Sequence, residues 1–138
     1  MDESIIKKYM ELLEEIEENL KKHNFRACRR LNTDLIRLSW YFNFQEGIFL
    51  SECIGSILHD LYDLNSEYEL DKKDIEEVVE KISDLLKTII KTLPEAEKKI
   101  TQLYKSIRDV RVFVTNLQFK YSRYGKRRPF FEREIRIV

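Results

Sequence analysis

Five stretches of this chain repeat apolar side chains at three- and four-residue steps, which is the period of an amphipathic helix and not of a strand. In the first, Ile5, Tyr9, Leu12, Leu13, Ile16 and Leu20 form the stripe while Glu11, Glu14, Glu15, Glu17 and Glu18 occupy the other faces. The spacing predicts a helix of about five turns. Lys22-His23-Asn24 interrupts it and offers Asn24 as an N-cap, after which Phe25, Cys28, Leu31, Leu35, Leu38 and Phe42 make a second stripe running to about Tyr41. Asn43-Phe44-Gln45-Glu46 has the cap residue and third-position glutamate of a capping box, with Gly47 beyond. Without that break, residues 25–64 would form one long bent helix.

The third stripe, Ile48, Phe49, Cys53, Ile54, Ile57, Leu58, Leu61 and Tyr62, is broad enough to predict a central helix covered on more than one side. Residues 65–70 break the period; Asp71 then caps a fourth helix, with Asp74 at the third position and Leu70 placed to staple against Ile75. Its stripe is Ile75, Val78, Val79, Ile82, Leu85, Leu86, Ile89 and Leu93. Thr92, Pro94 and Glu95 resemble another capping box with proline in the first turn, so a fifth helix follows almost without a loop. Ile100, Leu103, Tyr104, Ile107, Val110, Val114, Leu117 and Tyr121 carry it to about Gly125, with Pro129 as a stop.

Only three glycines and two prolines occur in 138 residues, too few turn residues for an all-β domain. The reading is an all-α fold: an antiparallel helical bundle of four to five helices, residues 1–125, with a short extended basic and aromatic C-terminal tail, residues 126–138. No fixed-period repeat indicates a solenoid. No run of about 18 apolar residues exists and the N-terminus is charged where a signal peptide is apolar, so no membrane association and a cytoplasmic location are expected.

Catalytic and metal-binding patterns are sparse, so no catalytic residue, metal or cofactor is assigned and a non-enzymatic role is expected. His23 and His59 lack the Glu-x-x-His spacing of di-iron bundles. Glu14, Glu15 and Glu18 have a spacing similar to one magnesium-ligand motif of helical nucleotide pyrophosphohydrolases, but the companion Glu-x-x-Asp is missing and a solvated helix face accounts for them. A hairpin turning near residues 44 and 45 sets the only thiols, Cys28 and Cys53, on the order of 12 Å apart along the axis, so both are expected to stay reduced and act as small apolar residues.

Trp40, Tyr41, Phe42, Phe44 and Phe49 gather around the presumed second turn, more aromatic surface than one hairpin tip hides by itself. Either the other helices and Phe130 and Phe131 close over it, or it meets a partner. Charge is segregated although the total is zero: residues 41–70 hold six acids and no lysine or arginine, whereas residues 101–138 hold ten bases against three acids. The expected function is therefore a helical protein-interaction or self-assembly module, with a protein partner or a homo-oligomer. Trp40, Phe44, Phe130 and Phe131 are its candidate anchors, and Arg127 and Arg128 its candidate charged contacts. The alternative is nucleic-acid binding through the basic C-terminal helix and tail, with Lys120, Arg123, Lys126, Arg127 and Arg128 neutralising phosphates and Tyr121 and Tyr124 stacking on bases.

Overall fold

The computed structural model describes residues 2–129 and Glu132. Within them lie α1 (Glu3–Lys21), α2 (Phe25–Tyr41), α3 (Gln45–Glu67), α4 (Lys72–Thr92) and α5 (Ala96–Tyr124), with a 3₁₀ turn, Leu93–Glu95, between the last two. The expected all-α bundle is what the chain forms, and residues 25–64 are two helices, not one.

The first two connections reverse the chain in the same way, by Schellman closures. At the end of α1, His23 N–H donates to Leu20 O and Asn24 N–H to Asn19 O; at the end of α2, Asn43 donates to Trp40 O and Phe44 to Ser39 O. This geometry needs one left-handed residue, and His23 (φ 59°) and Asn43 (φ 51°) supply it. Asn24 then caps α2 as expected, its Oδ1 accepting from Ala27 N–H. Asn43 does not cap α3, contrary to the capping-box expectation. It occupies the left-handed position, which asparagine tolerates, and the N-cap falls to Phe44 without a side-chain bond. The Thr92 box also fails, because Thr92 Oγ1 donates back to Thr88 O within α4. Asp71 stands at the N-cap of α4 but makes no side-chain capping bond.

Each helix packs chiefly against two others, and the circuit closes in the order α1, α2, α3, α5, α4. Neighbours run antiparallel except α3 and α5: Phe49 lies beside Tyr104 near their beginnings and Glu67 pairs with Arg127 beyond their ends. The parallel pair arises because residues 68–71 carry the chain across the end of α5, which inserts between α3 and α4. Facing stripes fill the interior, including Tyr9, Leu13, Ile16, Leu35, Leu50, Ile54, Leu58, Leu61, Ile82, Leu86, Ile107 and Val114. At roughly 1.5–3 kcal/mol for each fully buried large aliphatic side chain, this packing is the main source of stability. α3 buries nine residues against seven in α4 and seven in α5, in keeping with the breadth of its stripe.

The crossing segment is locked by the start of the tail. Glu69 N–H donates to Lys126 O and Arg128 N–H to Glu67 O, giving an isolated antiparallel bridge between Tyr68 and Arg127. Beneath it, Tyr121 OH donates to Asp74 Oδ2 at 2.6 Å and accepts from Asp71 N–H at 2.9 Å, while Lys120 Nζ reaches the same carboxylate oxygen at 2.7 Å. Partial burial alone would raise the Asp74 carboxyl, but the bonds from Lys120 and Tyr121 outweigh it and hold the group below the usual carboxylate range.

Candidate interaction surface

The orientation of α2 determines what its last turn presents. Its inner face is Phe25, Cys28, Asn32, Leu35 and Ser39, not the Leu31, Leu38 and Phe42 line read from the apolar pattern. Two polar residues can face inward because each finds a partner: Ser39 Oγ donates to Leu35 O, and Asn32 Nδ2 donates to Ser51 O on α3 at 3.1 Å. Gly55 leaves the room Asn32 occupies, since a Cβ there would sit 2.5 Å from Nδ2. With Ser39 pointing inward, 100° per residue carries Trp40 to the side and Tyr41 to the outside of the bundle. Trp40 is 61% exposed, Tyr41 83% and Phe42 39%.

The same rotation leaves Leu31 and Leu38 only half-buried, and on α1 Leu12 is likewise half-buried beside the fully buried Leu13. Between the outer faces of the two helices runs a groove of about 560 Å³, lined by Lys8, Glu11, Leu12 and Glu15 from α1 and Asp34, Arg37, Leu38, Tyr41 and Phe42 from α2. Its floor is aliphatic, one end is aromatic, and its sides are charged. The side chains of Lys8, Glu11, Glu15, Asp34 and Arg37 take part in no ion pair among the described residues, whereas Lys21, Lys22, Lys72, Lys120, Lys126 and Arg127 each hold an acid.

The expected anchors divide. Trp40 is on the surface. Phe44 is not, at 3% exposure: the Schellman turn folds it inward, its ring meeting Tyr9 edge-on at 5.4 Å between centroids and resting over Gly47. Phe49 is half-buried against Tyr104. Phe130 and Phe131 lie outside the described residues. Arg127 pairs with Glu67 at 3.0 Å and Arg128 Nε donates to Asn65 O at 2.8 Å, so both hold the tail to α3 and neither faces a free site.

The nucleic-acid contacts fare similarly. Tyr121 is buried with its hydroxyl engaged, which removes it as a stacking platform, and Lys120 and Lys126 are committed to Asp74 and Glu69. Of that set, Arg123 and Tyr124 are exposed with no such pairing among the described residues. Four of the ten C-terminal bases, Lys120, Lys126, Arg127 and Arg128, thus clamp the acidic α3–α4 crossing. Sequence reasoning missed Lys8, Glu11, Glu15, Asp34 and Arg37 as a set, and put Leu12 and Leu38 on the core stripes, where they pack against the core but stay half-buried. The available signal was Asn32 and Ser39, seven residues apart on one face of α2, opposite a helical glycine.

Other chemistry is thin. Glu14, Glu15 and Glu18 are exposed, and no group of three or more His, Cys, Asp or Glu that could hold a metal ion is found among the described residues. Cys28 is buried, donating to Ile16 O at 3.4 Å, and burial pushes its thiol up to about 12. Burial also raises the half-buried Cys53, although Arg111 pulls the other way. Both cysteines are free. Among the described residues no helix is long and apolar enough to cross a membrane. What these features define is a five-helix closed bundle with an aromatic-edged groove on its α1–α2 face. No family model, curated protein or solved structure matches the chain.

Proposed function

We propose that this protein is a helical interaction module that docks a partner protein's helical face in the groove between α1 and α2, with Tyr41 and Phe42 as rim anchors. The supporting observation is the coincidence, on one face, of two exposed aromatics, a leucine-floored groove and charges without ion pairs among the described residues. Aromatic side chains expose large rigid surfaces with only two rotatable side-chain bonds, so ordering them in an interface costs little entropy, and they dominate binding energies where they are buried. Two antiparallel helices offer a third helix the ridges and groove it needs.

Placing the photo-reactive analogue p-benzoylphenylalanine at Tyr41 tests this reading. Irradiation should give a covalent adduct with another polypeptide, and Leu12→Glu or Arg37→Glu should abolish it. An adduct indifferent to both substitutions, or none at all, would remove the groove from the account.

A further inference from the structure

We infer that the occupant of this groove is a second copy of the same chain, held face to face by an antiparallel two-fold contact; this rests on the docking reading above and names its partner. The ground is the order of charge along the groove. α1 and α2 are antiparallel, with Cys28 Sγ bonded to Ile16 O near their shared upper end. Lys8, early in α1, and Arg37, late in α2, therefore lie toward the lower end, the end that also carries Tyr41 and Phe42. Glu11 and Asp34 lie one helical turn further up, level with each other, and Glu15 a turn above them. From Lys8 to Glu11 on α1, and from Arg37 to Asp34 on α2, is three residues, about 4.5 Å along the axis, so a basic level lies beneath an acidic one, with Leu38 just below the first and Leu12 just above the second.

A face graded in this way repels a copy of itself laid parallel and attracts one laid antiparallel. A two-fold that crosses the face midway between these levels lays α1 on α1 and α2 on α2 of the second copy, bringing Lys8 opposite its Glu11 and Arg37 opposite its Asp34 and setting Leu12 near the level of its Leu38, as an isologous contact requires. Exposed ion pairs are individually weak, so the charges select orientation while burial of Leu12, Leu38, Tyr41 and Phe42 provides affinity. The chain's zero formal net charge adds no long-range repulsion between copies. Lys8, Glu11, Asp34 and Arg37, which make no ion pair among the described residues, find their complements on the second copy.

Analytical ultracentrifugation of the wild type, Lys8→Glu, Glu11→Lys and an equal mixture of the two variants decides the matter. Both positions are exposed, so folding is retained, with helical circular dichroism as the check. The wild type should sediment as a dimer. Each variant places like charges across both symmetry-related contacts and should weaken the dimer by about tenfold or more. In the mixture, the first variant is acidic at both positions and the second basic at both, so every cross-chain contact joins opposite charges and dimer should return as the mixed species. A monomeric wild type, variants that dimerise undiminished, or a mixture that stays monomeric would each overturn the proposal. If the wild type is monomeric but the Tyr41 photo-adduct contains a polypeptide of different mass, the second copy is refuted and the docking reading stands; a monomer that yields no adduct refutes both.

Discussion

Replacing Gly55 by alanine should weaken the fold in the native background and strengthen it once Asn32 is also alanine. An alanine within a helix is favoured over glycine by about 1 kcal/mol. Against this, the new Cβ lies 2.5 Å from Asn32 Nδ2, and no atom of any other residue outside its own neighbourhood comes within 4 Å. The amide must move, and it is 3% exposed with its Nδ2 held by Ser51 O and its Oδ1 already without a partner. Displacing the bond leaves a buried donor unpaired, at a cost of roughly 1–3 kcal/mol, and forced repacking adds about 1 kcal/mol or more. Gly55→Ala alone is thus expected to destabilise by about 1–3 kcal/mol. Asn32→Ala removes the obstructing amide and its orphan oxygen together, and Gly55→Ala on that background should stabilise by about 1 kcal/mol. The two changes should therefore couple by about 2–4 kcal/mol, at or above the upper end of what contacting residues show. Urea denaturation of the four proteins followed by far-ultraviolet circular dichroism reads the cycle directly, with a common slope as the check that the unfolded state is unchanged. If Gly55→Ala has the same effect in both backgrounds, the Asn32–Gly55 contact does not govern how closely α2 and α3 approach.

The clamp at the α3–α4 crossing makes further predictions. Tyr121→Phe deletes the hydroxyl between Asp74 and Asp71 N–H and should cost about 1–2 kcal/mol, with faster amide exchange at the start of α4. Because the Asp74 carboxyl is held low in the fold, its stabilising contribution is present above the unfolded value near 4 and fades as pH falls through the lower folded value. Lys120 is raised chiefly by its bond to Asp74, and Tyr121 chiefly by burial and then by the same carboxylate; their contributions are complete below about pH 10 and fade as pH climbs through the raised folded values. A melting-temperature profile should show both limbs, and Asp74→Asn should flatten them; a profile unchanged by Asp74→Asn would contradict the assignment. With a thiol reagent on the native protein, the half-buried Cys53 should react before the fully buried Cys28, and the reverse order would refute the placement of α2.

The helices were legible because apolar residues recur once per turn and few residues interrupt them; the breaks at Lys22–Asn24 and at residue 71 fell where expected. The facing of α2 was not. Its apolar residues flank Asn32 and Ser39 on one side, and a rotation of about one residue exchanges Leu31, Leu38 and Phe42 for 32 and 39 without disturbing the period. What decides between the faces is long-range: a carbonyl on α3 for Asn32 and a glycine opposite it. Asn43 was misread for a local reason, since asparagine suits both an N-cap and a left-handed turn, and only the reversal of the chain selects the second. The basic tail read as a ligand-binding segment because its acidic partners, Glu67, Glu69 and Asp74, lie some 46–60 positions earlier in the chain. Trp40, by contrast, is exposed as a candidate anchor must be, but the groove is lined by its neighbours Tyr41 and Phe42 and emerged only from the rotation of α2.

Trp40 is the chain's one tryptophan, so Trp40→Phe combined with Tyr41→Trp places a single indole on the rim of the proposed docking face. Acrylamide quenching should be strong in dilute protein, as the 83% exposed position 41 requires, and should fall with a blue shift of emission as concentration rises and the α1–α2 faces meet. Lys8→Glu in this background should keep the dilute behaviour throughout, and mixing it with Glu11→Lys should restore the protected state. Quenching and emission that stay the same from dilute to concentrated protein, or an indole already shielded in the dilute protein, would contradict the account at its centre.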